Sequence, residues 1–129
     1  MSFVLVSKRG EEIQVNGWNW RPTLELLRSE ELISQENYER MGAQGAGGQV
    51  AEEVAGRVAD VVERFRTAMK PGERMLSDLT VTAKPKVKLA LTPKTKPDDI
   101  DAVDIYSASY EWLGEFVDFC RRSGGFEVL

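Results

Sequence analysis

The residues best suited to binding chemistry are aromatic and lie in two segments of the chain. In the first segment Trp18 and Trp20 flank Asn19 and precede Arg21. An exposed tryptophan beside an arginine is typical of the few residues that supply most of the binding energy of a protein interface. If the segment is extended, the two tryptophans point to opposite sides and only one enters the core; otherwise both pack, one against the last helix and one over the first. The second segment completes the candidate binding set, which is Trp18, Trp20, Arg21, Tyr106, Tyr110 and Trp112.

Histidine is absent from the sequence. Its absence excludes Ser-His-Asp and Cys-His catalytic sets and a zinc site with histidine ligands. It also removes the side chain best suited to proton transfer near neutral pH, although acidic, lysine, tyrosine or cysteine side chains could still act on a substrate. An enzyme is therefore less expected than a binding protein, and no catalytic residue, cofactor or metal is predicted.

The chain has a single cysteine, Cys120. It cannot form a disulfide within the chain, which fits a reducing cytosol. Cys120 falls on the apolar stripe of the last predicted helix, beside Arg121 and Arg122, and neighbouring cations could make a thiol reactive. Because no histidine is present to act as its base, we interpret Cys120 as an inert core residue.

A glycine-rich run from Gly42 to Gly48 precedes the longest predicted helix, where a phosphate-binding loop would lie. The run lacks the Lys-Ser/Thr ending of a Walker loop and the G-x-G-x-x-G spacing, and a helix rather than a strand precedes it. We interpret it as a flexible connection.

A local excess of lysine follows in the second half of the chain, at Lys84, Lys86, Lys88, Lys94 and Lys96. Such a patch could contact nucleic-acid phosphates or an acidic protein surface. The segment has no aromatic residue on which bases could stack. We therefore favour a solvated face, or lysines that protect a sheet edge from pairing with other chains.

An acidic segment leads into the last helix and contains Asp98, Asp99, Asp101 and Asp104. Carboxylates could hold Mg²⁺ or Ca²⁺, but the spacing lacks the glycine and the closing glutamate of an EF-hand loop. Helix capping and the helix dipole explain acidic residues at this place. No metal site is predicted here.

Length and charge restrict the class of protein. A chain of 129 residues is near the commonest size of one domain, so we predict a single globular domain over residues 1–129. The net charge of −4 and the pI near 5.0 argue against general attraction to nucleic acid or anionic membrane. No apolar run reaches the length of a membrane span, and Phe3–Val6 is too short for a signal-peptide core. We expect a bacterial-type cytoplasmic protein.

The longest predicted element is an amphipathic helix from Gly48 to Lys70. Apolar residues recur every three or four positions and would form one face, made of Val50, Val54, Val58, Val61, Val62, Phe65 and Met69. On the other face Glu53 and Arg57 stand in the favourable acid-first order. Since a helix of this length cannot bury its apolar face alone, other elements must pack against it.

Short runs of strand-forming residues predict two β-hairpins, and those of the second alternate with period two. The first joins Phe3–Val6 to Ile13–Val15, and the second joins Leu79–Thr82 to Val87–Leu91. In the second strand of the first hairpin Ile13 and Val15 alternate with polar residues, so one face of its sheet should contact water.

Three further helices and a short strand complete the prediction. Helices are expected over Pro22–Glu31, Ser34–Met41 and Ser107–Ser123. Gly124 is the expected left-handed stop of the last helix, and Phe126–Leu129 returns as a strand. The predicted fold class is α+β, with two β-hairpins packed against a long central amphipathic helix and a buried C-terminal helix.

Two stretches carry a resemblance to known proteins. They are Trp18–Pro22 leading into a helix, and the segment from Glu111 through Phe119 and Cys120 to Val128. Together they resemble small uncharacterised bacterial proteins, some of which look like immunity proteins that neutralise a secreted toxin. The resemblance covers about a third of the chain and carries no known chemical role, so it implies a binding protein rather than a defined activity.

The leading hypothesis is a non-catalytic module that binds an unidentified protein partner, in the manner of an immunity protein. In the alternative, the aromatic candidates wall a pocket for a small molecule, where Arg21 fixes an anionic group and Glu111 acts as the base of a weak enzyme. A third hypothesis, nucleic-acid binding through the lysine-rich hairpin, is opposed by the overall charge. The sequence does not predict the oligomeric state.

Overall fold

The computed structural model describes residues 2–43, 45–83 and 107–129. Within these ranges the chain forms four helices and two antiparallel sheets, which confirms the predicted α+β class. The elements, in chain order, are β1 (Ser2–Ser7), β2 (Glu12–Asn16), α1 (Gly17–Ser29), α2 (Gln35–Met41), β3 (Gly48–Ala51), α3 (Glu52–Thr67), β4 (Arg74–Leu76), β5 (Val81–Thr82), β6 (Ser107–Ser109), α4 (Tyr110–Ser123) and β7 (Gly125–Val128).

The larger sheet has the strand order β2-β1-β7-β3, and every neighbouring pair is antiparallel. β1 and β2 form the predicted first hairpin, with Leu5 opposite Ile13. β7 is the predicted return strand, and its Val128 lies opposite Leu5 on one side and Gly48 on the other. The two strands that are farthest apart in the sequence, β1 and β7, are therefore neighbours in the middle of this sheet.

The smaller sheet has the strand order β5-β4-β6. β5 lies within the predicted strand Leu79–Thr82, but its partner in the described chain is β4, with Met75 opposite Val81. The predicted pairing with Val87–Leu91 falls outside the described residues. The sequence pattern does not predict β4 or β6, because strands of three residues each are too short to show alternation.

The long helix is shorter than its apolar pattern predicts. α3 begins at Glu52, because Gly48–Ala51, at the predicted start of the helix, forms strand β3 instead. Val50 in this strand is buried and lies opposite Phe126 of β7. Pairing with a neighbouring strand thus overrides helix propensity here. The carboxylate of Glu52 then lies in the first turn, where its negative charge interacts favourably with the positive end of the helix dipole.

Helix α1 begins at Gly17, earlier than the predicted start at Pro22. The Asn16 side chain caps it by accepting a backbone N–H of the first turn at 2.9 Å. The segment with Trp18 and Trp20, which precedes the predicted helix, is therefore helical. An asparagine cap directly after a strand explains why a proline does not mark the start of this helix.

Helices α2 and α4 have side-chain caps as well. Ser34 caps α2, as predicted. α4 begins at Tyr110 rather than at Ser107, because Ser107–Ser109 forms β6 and the Ser109 hydroxyl then accepts a first-turn N–H at 3.0 Å. The helix ends at Gly124, whose φ of 68° is the predicted left-handed stop.

The core lies between the inner face of the larger sheet and the helices. Phe126 of β7 contacts Phe116 and Phe119 of α4, with ring centroids 6.0 and 5.6 Å apart. Phe3 of β1 contacts Trp20 of α1 at 6.4 Å. α3 packs along α4, and its buried residues are small or β-branched, namely Ala55, Val58, Ala59 and Val62. Small side chains on α3 let the two helices approach closely.

Gly48 and Gly56 should respond in opposite directions to the same substitution. A Cβ at Gly48 would lie 2.4 Å from Met41 Cγ and 3.1 Å from the Met41 nitrogen, so Gly48→Ala should lower the free energy of unfolding by about 1–3 kcal/mol. Gly56 lies exposed in α3, and apart from its chain neighbours and the backbone of its own helix no atom of the described residues comes within 4 Å of such a Cβ. Gly56→Ala should raise the free energy of unfolding by about 0.5–1 kcal/mol through helix propensity. Urea titration measures both changes, and a loss of stability in Gly56→Ala would contradict this account.

Candidate functional site

Two of the sequence-predicted binding residues, Trp20 and Trp112, lie in the core. Trp20 is fully buried, and its Nε1 donates to the Met41 carbonyl at 2.8 Å. Trp112 is 6% exposed, and its Nε1 donates to Thr23 Oγ1 at 3.0 Å. The two rings meet edge to face at 6.5 Å, and both contact Phe116. Each indole N–H therefore has a partner, as buried tryptophans require.

Trp18 lies on a different side of α1 from Trp20. Residues two apart on a helix differ by about 200° around its axis, so the helix separates these two rings as an extended strand would. Trp18 is 47% exposed. It is one of three large apolar residues that the described part of the chain exposes, with Val81 and Leu129. Of the candidates that the structure describes, Trp18 is the aromatic residue most accessible to a partner.

Arg21 and Tyr110 contact different neighbours. Arg21 lies where α1 meets α2, with its Nη1 3.6 Å from the position of a Cβ at Gly42. Tyr110 begins α4, and the Arg66 guanidinium of α3 lies 3.8 Å above the centre of its ring. Arg66 Nε also donates to the Tyr110 carbonyl at 2.9 Å. The five described candidates are thus distributed over the core and several helix contacts.

A polar cluster that the sequence did not indicate connects α1 to the smaller sheet. Asn19 Oδ1 accepts from the Ser109 N–H at 2.9 Å and from Arg74 Nη2 at 3.3 Å. Arg74 also donates from Nε to Ser107 Oγ at 2.6 Å and from Nη2 to the Ser107 carbonyl at 2.9 Å. Burial lowers the pKa of the Arg74 guanidinium, and the nearby Glu111 carboxylate opposes that effect. Because these contacts join elements that are distant in the sequence, no local pattern could reveal them.

Several sequence-predicted residues fall outside the described part of the chain. They are Tyr106, the lysines from Lys84 to Lys96, and the aspartates from Asp98 to Asp104. The binding, nucleic-acid and metal interpretations attached to them stay predictions.

The outer face of the larger sheet is open in the described structure. Phe3 and Leu5 of β1 point inward and are fully buried, whereas Val4 and Val6 alternate with them and are half-buried. Leu129 pairs with Val4 through two backbone hydrogen bonds of 3.2 and 2.8 Å and is 42% exposed. Val4, Val6 and Leu129 therefore form an apolar strip on this face, which we call the open-face strip.

A cleft of about 540 Å³ opens beside the open-face strip. Its charged and amide side chains are Lys8, Gln49 and Glu127, and Gln49 Nε2 donates to Glu127 Oε2 at 3.0 Å across β3 and β7. The full lining is Val6, Ser7, Lys8, Gln49, Val50, Ala51, Phe126, Glu127 and Leu129. The sequence predicts a wet face for the first hairpin but not this cleft, because it assigns Gln49–Ala51 to a helix.

The buried thiol of Cys120 and the distribution of acidic side chains describe the reactive groups of the described residues. Burial raises the pKa of the Cys120 thiol, which disfavours the nucleophilic thiolate. Within residues 2–43, 45–83 and 107–129, no three acidic or cysteine side chains lie close enough together to hold a metal ion. Among the described helices, none has the length and apolarity to cross a membrane.

No protein-family model matches the chain, and neither a curated protein nor a solved structure matches it.

Tyr38 on α2 provides a pH-dependent test of how α2 is held against α1. Its hydroxyl donates to Glu25 Oε1, and the Arg28 guanidinium lies 4.5 Å from the centre of its ring. Burial and the hydrogen bond to Glu25 raise the pKa of Tyr38 above its ordinary value of 10.0. The folded state thus retains this proton longer than the unfolded state, so the stabilisation is present below pH 10 and disappears as the pH rises further.

Tyr38→Phe should lower the free energy of unfolding by about 1 kcal/mol at pH 8. The difference from the unmodified chain should shrink above pH 10, the ordinary pKa of tyrosine. In Glu25→Gln the acceptor remains but the charge is lost, so the pKa of Tyr38 should be raised less, and the alkaline loss of stability should be smaller and should end at a lower pH. Denaturant titrations between these pH values measure both effects. A Tyr38→Phe deficit that does not change with pH would show that the hydroxyl does not titrate as described.

Proposed function

We propose that this protein is a non-catalytic module that binds another protein through the open face of its larger sheet. One observation carries the proposal, namely that the open-face strip exposes apolar side chains beside a cleft of about 540 Å³. An apolar centre with a polar rim is the usual anatomy of a protein interface. Here Lys8, Gln49 and Glu127 supply the rim.

The absence of histidine and the burial of Cys120 support a binding role over a catalytic one. Trp18, which is 47% exposed at the start of α1, is a second surface residue of the type that anchors interfaces. An immunity-like function, in which the partner is a toxin, rests on the sequence resemblance alone and is one form of this proposal.

A matched pair of valine substitutions tests which surface binds. Val6 lies on the open face between Glu12 and Glu127, so a lysine there meets two carboxylates and should be tolerated by the fold. Val81 is an exposed valine of the smaller sheet and serves as the control. A tagged chain is incubated with lysate of the source organism, and retained proteins are quantified for the unmodified chain, Val6→Lys, Val81→Lys and Trp18→Ala.

We expect one stoichiometric protein partner that Val81→Lys retains and Val6→Lys loses. Loss with Trp18→Ala but not with Val6→Lys would move the contact surface to the start of α1. Equal retention of the partner by all four chains would contradict binding through either surface. Circular dichroism of each variant confirms that a lost partner does not reflect unfolding.

Binding of a small molecule is the second candidate function, and the cleft is the observation that favours it. Its volume of about 540 Å³ lies within the range of small-ligand sites. Lys8 could attract an anionic group and Glu127 a cationic one, whereas Trp20 and Trp112 are packed in the core. A thermal-shift screen distinguishes this candidate, because a ligand of the cleft should raise the melting temperature of Val81→Lys but not that of Val6→Lys.

A further inference from the structure

The two edges of the larger sheet differ in how they are protected. At the β3 edge, Asn37 of α2 donates from Nδ2 to the Gln49 carbonyl at 2.8 Å and accepts the Gln49 N–H on Oδ1 at 3.2 Å. The side-chain amide of Asn37 thus takes the place that the backbone of another strand would occupy. It closes the edge against pairing with a further chain.

The β2 edge carries backbone groups that point away from the sheet. The backbone N–H and C=O groups of Val4 bond to Leu129. Because these groups alternate in direction along a strand, those of Leu5 point to β2. In β2 the backbone groups of Ile13 bond to β1. The backbone N–H and C=O groups of its neighbours Glu12 and Gln14 therefore point outward, away from the sheet. No group in the described ranges of the chain makes a hydrogen bond to these outward groups.

We propose that two copies of this chain pair through β2, antiparallel and centred on Gln14, to form one continuous eight-stranded sheet. The outward groups of Gln14 then bond to those of Gln14 in the second copy. In a two-fold arrangement the same strand supplies both halves of the interface. The proposal is independent of the open-face binding surface.

The chemistry of β2 favours a second copy in this register. Centring on Gln14 uses all five residues of the strand and places Glu12 opposite Asn16, so that no two like charges face each other. Centring on Glu12 would instead bring two carboxylates together. On the inner face Ile13 meets Val15, and the apolar layer under the sheet continues across the two-fold axis.

Substitutions at Gln14 test the proposal, because its N–H makes no hydrogen bond within the described chain. Gln14→Pro removes that N–H and places a ring on the edge, which edge strands tolerate. Gln14→Thr keeps the N–H and is the matched control. Sedimentation velocity of the full chain at increasing concentration measures association, and circular dichroism checks the fold of each variant.

We expect the unmodified chain and Gln14→Thr to form dimers and Gln14→Pro to remain a folded monomer. A chain that stays monomeric at millimolar concentration overturns the proposal. A dimer that survives in folded Gln14→Pro overturns it as well, because the contact must then lie elsewhere.

Cross-linking tests the register without proline. In the proposed pairing the two Cα atoms of residue 14 lie about 5.5 Å apart, which is within the range that a disulfide spans. Under mild oxidation Gln14→Cys should give a covalent dimer, whereas Gln35→Cys, exposed on α2, should not. The native Cys120 is buried and should not contribute. Equal cross-linking at both positions would exclude this register.

Discussion

The pairing of β7 between β1 and β3 is the interaction on which the rest of the structure depends. It connects the N-terminal hairpin, the middle of the chain and its last strand in one sheet. β7 directly follows α4, and Gly124 and Gly125 make this connection with φ values of 68° and 104°. A Cβ at Gly125 would lie 2.9 Å from the Val50 carbonyl, so glycine is required both for the backbone conformation and for the close approach of β3. Once β7 is placed, α4 must lie across the inner face of the sheet.

The aromatic core follows from this placement. Phe126 enters the core from β7 and meets Phe116 and Phe119 of α4, and Phe116 in turn contacts Trp20 and Trp112. The folded state would lose stability if the N–H groups of these two indoles were buried without a hydrogen-bond acceptor. The Met41 carbonyl and the Thr23 hydroxyl accept these hydrogen bonds. Residues that resemble binding residues in the sequence are thus used to join α1, α2 and α4.

The two faces of the larger sheet have different roles because the described helices cover only one of them. The inner face is sealed by apolar packing, and the outer face leaves Val4, Val6 and Leu129 accessible beside the cleft. The edges are also unequal, since Asn37 closes β3 while the outward groups of β2 lack a partner within the described residues. A surface for a partner and an edge for self-association can therefore coexist on one small sheet without competing for the same atoms.

Local chemistry in the sequence determined the elements whose signals are short-range. The first hairpin, the Ser34 cap of α2 and the left-handed stop at Gly124 were all predictable, because each depends on residues within a few positions. Tertiary structure decided whether Gly48–Ala51 is strand or helix, since β7 supplies the hydrogen bonds that make it a strand. It also decided which tryptophan is buried and where the cleft lies. These outcomes depend on contacts between residues far apart in the chain, such as Asn19 with Ser109 and Gln49 with Glu127, and no local pattern of residue types encodes them.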